Sequence, residues 1–190
     1  MDDPSGNPDT ELSRAWQRGD PAAFAALVRR WQQPMARFLA AMVGKNGNIQ
    51  DLCQEVFLRV FLARARYRET GAFSSWIYRI ACNVARDACR RRHSKPLQLS
   101  NQEINAPALR PDAPCEHQEL AEAVARALAE LPPAVREVVV LRHYEALNFK
   151  QMALLLGVPA STLRSRFEAG MARLRTRLAQ QGWSPQENRR

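Results

Sequence analysis

The sequence predicts an all-α protein of two small helical domains joined by a flexible Pro-rich linker, the second domain containing a helix-turn-helix. Three observations carry that expectation. Apolar residues recur at three- and four-residue spacing through about residues 20–92 and again through 116–178. No alternating run is long enough for a strand, although Val138-Val139-Val140-Leu141 is β-branched. Between the two blocks the periodicity stops, and Pro96, Pro107, Pro111 and Pro114 stand among Asn, Ser and Gln as in an extended tether. The implied organisation is a flexible N-terminus at 1–10, a first domain at 11–95, a linker at 96–115, a second domain at 116–181 and a tail at 182–190.

Residues 1–10 are polar, with Pro and Gly, and are expected to fray. Asp20-Pro21 opens the first clear helix in the manner of an N-cap followed by proline. Phe24, Leu27, Val28, Trp31, Met35, Phe38, Leu39 and Met42 form its apolar row; Pro34 is expected to kink it, and Gly44 and Gly47 to end it. A second helix runs from Asp51 to about Arg66, with Leu52, Val56 and Val60 and a Cys53/Phe57/Phe61 row. The loop from Tyr67 to Phe73 leads into a third helix over about 74–92. Helical patterning resumes near Glu116 and is broken at Leu131-Pro132-Pro133, near Asn148 and at Gly157–Pro159.

Charge is distributed unevenly. The 190 residues carry a net charge of +9, and residues 11–96 hold 16 Lys/Arg against 6 Asp/Glu. Residues 150–177 hold six basic groups against Glu168 alone, whereas 116–145 has six Glu against three Arg. Two basic blocks separated by an acidic one suggest two contacts with nucleic acid rather than general solubility. There is no basic-then-apolar leader and no apolar run of membrane-spanning length, so the cytoplasm is the default expectation. Cys53, Cys82, Cys89 and Cys115 form no CxxC pair. Cys89 with His93, or Cys115 with His117, could in principle hold a metal, but a buried thiol usually acts as a small apolar filler. No metal, cofactor or catalytic set is expected.

Three surfaces invite a function. The stretch GVPASTLRSR (157–166) puts a glycine corner before a helix bearing hydroxyls and arginines. Ala153, Gly157 and Leu163 fit a helix-turn-helix, in which a small residue allows close approach, a glycine takes the turn and an aliphatic residue pins the second helix. Asn148 is placed to cap the first helix of the pair. With Leu163, Phe167, Met171, Leu174 and Leu178 turned inward, Thr162, Arg164, Ser165 and Arg166 face solvent, a set suited to the major groove. In the first domain Ile77, Ile80, Ala81, Val84 and Ala88 share one side of a helix. Arg79, Asn83, Arg86 and Arg90 share the other, continuing into Arg91, Arg92 and Lys95. Aromatics beside them (Tyr67, Phe73, Trp76, Tyr78) and Arg68 are the combination that holds unpaired bases. On the preceding helix Asp51, Gln54, Glu55, Leu58, Arg59 and Leu62 lie opposite Val56 and Val60, either as a solvated face or as a protein-docking one.

DLCQEVFLRVF followed by WIYRIACNVARDACRRR resembles region 2 of extracytoplasmic-function RNA polymerase sigma factors, in the sigma-70 family. LPPAVREVVVLRHYEALNFKQMALLLGVPASTLRSRFEAGMARLRTRL resembles their promoter-reading region 4, and the likeness spans about residues 11–180 in the family's order. The resemblance implies a transcription initiation factor without catalytic residues, since polymerase performs the chemistry. It implies that Asp51, Gln54, Glu55, Leu58, Arg59 and Leu62 dock on the β′ clamp helices of core polymerase, with the β flap as a further contact. Tyr67, Arg68, Phe73, Trp76, Arg79, Asn83, Arg86 and Arg90 would melt the −10 element and hold its single strand. Ser161, Thr162, Arg164, Ser165, Arg166 and Phe167 would enter the −35 duplex, and the linker would thread toward the RNA exit channel. An anti-sigma protein, at the membrane or free, is the implied inhibitor, and exposed Leu58 and Leu62 would suit an amphipathic helix.

The sequence also departs from the family. Glu168-Ala169-Gly170-Met171 stands where a basic run is usual, so Glu168 would repel the DNA backbone, and Lys150-Gln151 replaces a frequent acidic pair. The competing reading is a stand-alone helix-turn-helix regulator, which leaves the arginine stripe unexplained. A recombinase or nuclease would need clustered carboxylates or an activated nucleophile, and residues 11–96 offer six scattered acids.

Overall fold

The computed structural model describes residues 8–44, 48–68, 73–94, 115–144 and 147–183. Among them lie eight α-helices, one 3-10 turn and no strand. The chain divides into two compact units: the first holds α1, α2 as far as Leu39, α3 and α4, and the second holds the end of α2 from Ala40 together with α5 to α8.

In the first unit, α1 (Pro8–Gln17) is followed by α2 (Pro21–Val43), α3 (Ile49–Leu62), the 3-10 turn Arg64–Arg66 and α4 (Phe73–Ser94). Helix α1 corrects the expectation that the first ten residues fray. Pro8 opens a helix whose Asp9, Thr10, Ser13 and Trp16 are buried, while residues 1–7 lie outside the described residues. Its inward face is largely polar, which hides it from a search for apolar periodicity. Asp9 pairs with Arg30 of α2 at 2.7 Å, and the Ser13 hydroxyl donates to the Thr10 carbonyl. Asp20 caps α2 by accepting from the Ala22 amide at 2.8 Å, and the helix runs on past Pro34. Gly44, with φ of 73°, follows the last residue of α2; Gly47 lies outside the described residues. Helix α3 starts earlier than its acidic residue suggested, because Asn48 is the cap and accepts from the Asp51 amide. It also stops at Leu62, where the chain tightens into the 3-10 turn instead of continuing to Arg66. The core combines Leu27, Met35, Phe38, Leu39, Val56, Val60, Ile77 and Val84 with an aromatic cluster around Trp16.

The second unit comprises α5 (Cys115–Glu130), α6 (Pro133–Tyr144), α7 (Phe149–Leu156) and α8 (Ala160–Gln180). The β-branched run Val138-Val139-Val140-Leu141 is helical, and all four side chains are buried, as expected of a helix enclosed on most sides. Arg136 ties the α5–α6 junction by donating to the carbonyls of Ala129 and Leu131. A closed capping box starts α7: Asn148 accepts from the Gln151 amide and Gln151 accepts from the Asn148 amide, both at 2.9 Å. Gly157 ends α7 in the left-handed conformation, with φ of 68°, and donates to the Ala153 carbonyl. After Val158-Pro159 the chain enters α8, so α7 and α8 form the expected helix-turn-helix. A further close approach is made at Gly170. A Cβ at Gly170 would lie 2.7 Å from Val139 Cγ2 and 2.9 Å from Val135 Cγ1, so this glycine lets α8 press against α6. Leu131, Val139 and Leu174 fill the adjoining core, with Phe167 and Met171 packed against it.

Candidate nucleic-acid interface

Helix α4 segregates as its periodicity predicts. Ile77, Ala81, Val84 and Ala85 are buried, whereas Arg79, Asn83, Arg86 and Arg90 are exposed and recur every three or four residues. Arg86 Nη1 donates to Asn83 Oδ1 at 3.3 Å, and Arg90 Nη2 donates to Asp87 Oδ1 at 2.8 Å. Arg91 is exposed too; the Arg92 side chain and Lys95 lie outside the described residues.

The aromatic expectation needs correction. Tyr67 and Phe73 are 4% and 2% exposed, so their rings are not open stacking platforms. Tyr67 lies 4.6 Å from Trp76 and 5.7 Å from Trp16, centroid to centroid, and its carbonyl accepts from Gln17 Nε2. Phe73 lies 5.8 Å from both Tyr67 and Trp76. Clustering of this kind offsets the cost of ordering large rings, and it anchors both ends of the segment between Tyr67 and Phe73. Of the predicted aromatic contacts only Trp76 is part-exposed, and Arg68 is exposed. Residues 69–72 of the predicted loop lie outside the described residues.

On α3, Asp51 and Gln54 are exposed and Glu55 and Arg59 are partly so, opposite the buried Val56 and Val60. Leu58 and Leu62 are 52% and 71% exposed. Phe61, named in the Cys53/Phe57/Phe61 row and not in the docking set, is 50% exposed, with its ring 5.3 Å from that of Phe24. Its place three residues after Leu58 on the open face was the signal that could have found it. Two acids on this face also serve the fold. Asp51 accepts from Asn48 Nδ2 at 2.6 Å, and Glu55 pairs with Arg59 at 2.7 Å. Arg59 reaches on to Asp87 of α4 at 3.4 Å.

On α8, Ser161, Thr162, Arg164 and Ser165 are exposed; Arg166 and Phe167 are half-buried. The Arg164 guanidinium sits 5.5 Å from the centroid of Phe149, which in turn meets Phe167 edge-on at 5.9 Å. Phe167 therefore supports this surface from below. Pro159 provides no side-chain cap to α8, so no capping side chain occupies the leading amides of the helix that carries the hydroxyls. Glu168 is exposed on the same helix.

The cysteines do not assemble into a site in the described part of the chain. Cys53, Cys82 and Cys89 form no disulfide among the described residues, and burial pushes the Cys53 thiol up to about 11, well away from a reactive thiolate. Among the described residues no three His, Cys, Asp or Glu side chains gather as a metal set, and the side chains of His93, Cys115 and His117 lie outside them.

These surfaces coincide with a known pair of domains. Residues 27–95 match the family described as Sigma-70 region 2, and residues 121–174 match Sigma-70, region 4. The ECF RNA polymerase sigma-E factor of Escherichia coli K12 is 30% identical over 168 residues, covering 83% of this chain and 87% of its own. The chain belongs to the extracytoplasmic-function sigma factors of the sigma-70 family. The RNA polymerase sigma-H factor of Pseudomonas aeruginosa PAO1 is 29% identical over the same coverage. Among solved structures, CnrH in complex with the cytosolic domain of CnrY matches with a TM-score of 0.69 and 23% identity, covering 92% of this chain and 99% of that one. The sigma factor RpoE in complex with the anti-sigma factor NepR from Bartonella quintana matches with a TM-score of 0.62 and 16% identity, covering 82% and 96%. Both likenesses concern the fold.

As a sigma factor the chain is a promoter-specific transcription initiation factor that binds core RNA polymerase and promoter DNA. The stand-alone regulator is not favoured, because region 2 takes in the α3–α4 portion that such a reading leaves without a purpose. No helix among the described residues is long and apolar enough to cross a membrane.

Proposed function

We propose that the exposed surfaces divide initiation between them. The α3 face, with Asp51, Gln54, Glu55, Leu58, Arg59 and Leu62, docks on the β′ clamp helices, and the second unit contacts the β flap. Arg68, Trp76, Arg79, Asn83, Arg86 and Arg90 engage the separated −10 strand. Tyr67 and Phe73 contribute to that site by holding Trp76 and the ends of the intervening segment. Ser161, Thr162, Arg164, Ser165 and Arg166 enter the −35 major groove, with Phe167 and Phe149 supporting Arg164. The linker threads toward the RNA exit channel. The factor performs no catalysis itself and works in the cytoplasm, where an anti-sigma protein, at the membrane or free, covers the α3 face and the 160–167 segment in competition with polymerase.

The observation that carries this reading is the row Leu58, Phe61 and Leu62, half or more exposed on a helix whose opposite side is buried. Open apolar side chains in a row are costly in water unless a partner covers them. Leu58→Glu with Leu62→Glu tests the assignment more cleanly than reversing Asp51 and Glu55, because Asp51 holds the Asn48 cap of α3 and Glu55 braces Arg59. Affinity for core polymerase should fall at least about tenfold while helicity is retained, as for loss of two interface anchors. Undiminished affinity in the folded double variant would move the docking face elsewhere. Competition between polymerase and an added anti-sigma protein tests the inhibitory arm, and simultaneous binding of both would exclude it.

A further inference from the structure

Asp87 is the single acidic residue of α4, among Arg79, Arg86, Arg90, Arg91 and Arg92. An anion inside a cationic stripe opposes attraction of a polyanion. Its carboxylate is also divided between two helices: Oδ2 accepts from Arg59 of α3 at 3.4 Å, and Oδ1 accepts from Arg90 at 2.8 Å. Arg59 is held a second time by Glu55 at 2.7 Å, so Glu55, Arg59, Asp87 and Arg90 form one continuous chain of charges. Pairs at this degree of exposure contribute little to stability, so folding alone gives a weak account of the arrangement.

We infer that Asp87 is a positioning residue shared by the two working faces of the first unit, fixing Arg59 beside Leu58 and Leu62 and restraining Arg90 within the α4 stripe. This rests on the reading of those faces given above. With Arg59 braced from both sides, its guanidinium is preorganised for a partner docking on α3, which lowers the ordering cost of association. With Arg90 already paired, a single strand of arbitrary sequence must displace an internal carboxylate before gaining that contact. Asp87 thereby trades some affinity for DNA at large against a defined polymerase-facing geometry.

The test uses the full chain and the isosteric change Asp87→Asn. Binding to a mixed-sequence single-stranded oligonucleotide is followed by fluorescence anisotropy across a salt series, and core polymerase affinity is measured alongside. Asp87→Asn should tighten the oligonucleotide by about two- to fivefold at low salt. It should also steepen the log–log salt dependence by about 0.7, the release expected for one more cation on a single strand. In an Arg90→Ala background that gain should vanish. Polymerase affinity should fall by about two- to fivefold in Asp87→Asn, and that loss should vanish in an Arg59→Ala background. Asp87→Glu keeps the charge and should return both affinities most of the way to their wild-type values. A gain of equal size with and without Arg90 would reduce Asp87 to a general charge and overturn the inference, as would unchanged binding to both partners. In either case, a strong response of oligonucleotide binding to Arg79→Ala with Arg86→Ala, and of polymerase binding to Leu58→Glu with Leu62→Glu, would leave the faces standing. Loss of those control responses would remove the faces and this inference together.

Discussion

The cationic stripe of α4 and the basic face of α8 rest on different supports. Arg86 and Arg90 lean on an amide and a carboxylate of their own helix, Asn83 and Asp87. Arg164 lies over the ring of Phe149, which is braced by Phe167, with Ser161, Thr162 and Ser165 on the surface around it. Polar partners on a helix surface allow a long side chain to reorient at little cost, which suits a flexible, unpaired strand. An aromatic floor restricts the plane of a guanidinium, which suits bidentate reading of a base edge in a rigid groove. The two units thus present similar charge with different geometric demands. What separates them is the packing beneath the arginines.

The largest way to break the comparison is to remove that packing. Trp16 is buried and touches Phe24, Tyr67 and Trp76, so it joins α1 to α2, to Tyr67 and to α4. Trp16→Ala should destabilise the first unit by about 3–5 kcal/mol. Peptide-resolved hydrogen exchange should show lost protection in α1 to α4, with α5 to α8 retained. Equal loss in both units would show that they do not fold as separate bodies. A smaller effect distinguishes the two arginine supports. Arg164→Ala should cost about 1–3 kcal/mol of discrimination at the −35 position when holoenzyme is assayed on promoters it selects from a random library. Phe149→Ala should cost part of the same discrimination with the arginine still present. Arg86→Ala should weaken single-strand binding without altering sequence preference, and mainly by flattening its salt dependence.

Much of this division was legible in the sequence, because charge and periodicity report directly on which side of a helix meets water. The α4 stripe, the open α3 face, the Asn148 cap and the Gly157 corner all follow from residue type and spacing. Helix α1 was missed because its inward residues, apart from Trp16, are Asp9, Thr10 and Ser13, which are buried through hydrogen bonds and an ion pair rather than apolar area. Tyr67 and Phe73 were misjudged for a complementary reason. A ring beside arginines serves a base or a core equally well, and only the fold reveals that Trp16 and Trp76 pack against Tyr67, and Trp31 and Trp76 against Phe73. The part played by Asp87 depends on a helix pairing that spacing within α4 cannot convey.

Two glycines sharpen the contrast between turn and packing within the second unit. Gly157 has φ of 68° and open space around its missing Cβ, so its role is conformational. Gly157→Ala should cost about 1–2 kcal/mol, and Gly157→Asn clearly less, because Asn tolerates the left-handed region. Gly170 is helical, and its missing Cβ would press on two stiff valines. Gly170→Ala gains helix propensity but overpacks the α6–α8 contact, for a net loss of about 1 kcal/mol. There Asn should be worse than Ala. Chemical denaturation of the four variants checks both orders, and the same ranking at both positions would contradict the distinction.

The smallest expected effect concerns the exposed clasp between α5 and α8. Glu130 accepts from Arg177 through both carboxylate oxygens. The hydrogen bond from Arg177 holds the Glu130 carboxyl below its ordinary 4.5, against an opposing loss of solvation, with the Arg177 charge adding the least. A carboxylate whose folded value is depressed binds fewer protons in the folded state than in the unfolded one. Its contribution to stability is therefore complete above about 4.5 and declines as the pH falls through the folded value. Both groups stand in solvent, so salt should weaken the clasp, unlike the buried packing around Trp16. Thermal denaturation of the wild-type chain and Glu130→Gln, followed by circular dichroism between about pH 7 and pH 3, isolates this group from the other carboxylates. The wild type should melt slightly higher at neutral pH, and the two curves should converge in acid. A difference that persists unchanged to the acid limit would assign the effect of the substitution to packing on α5 rather than to the ion pair.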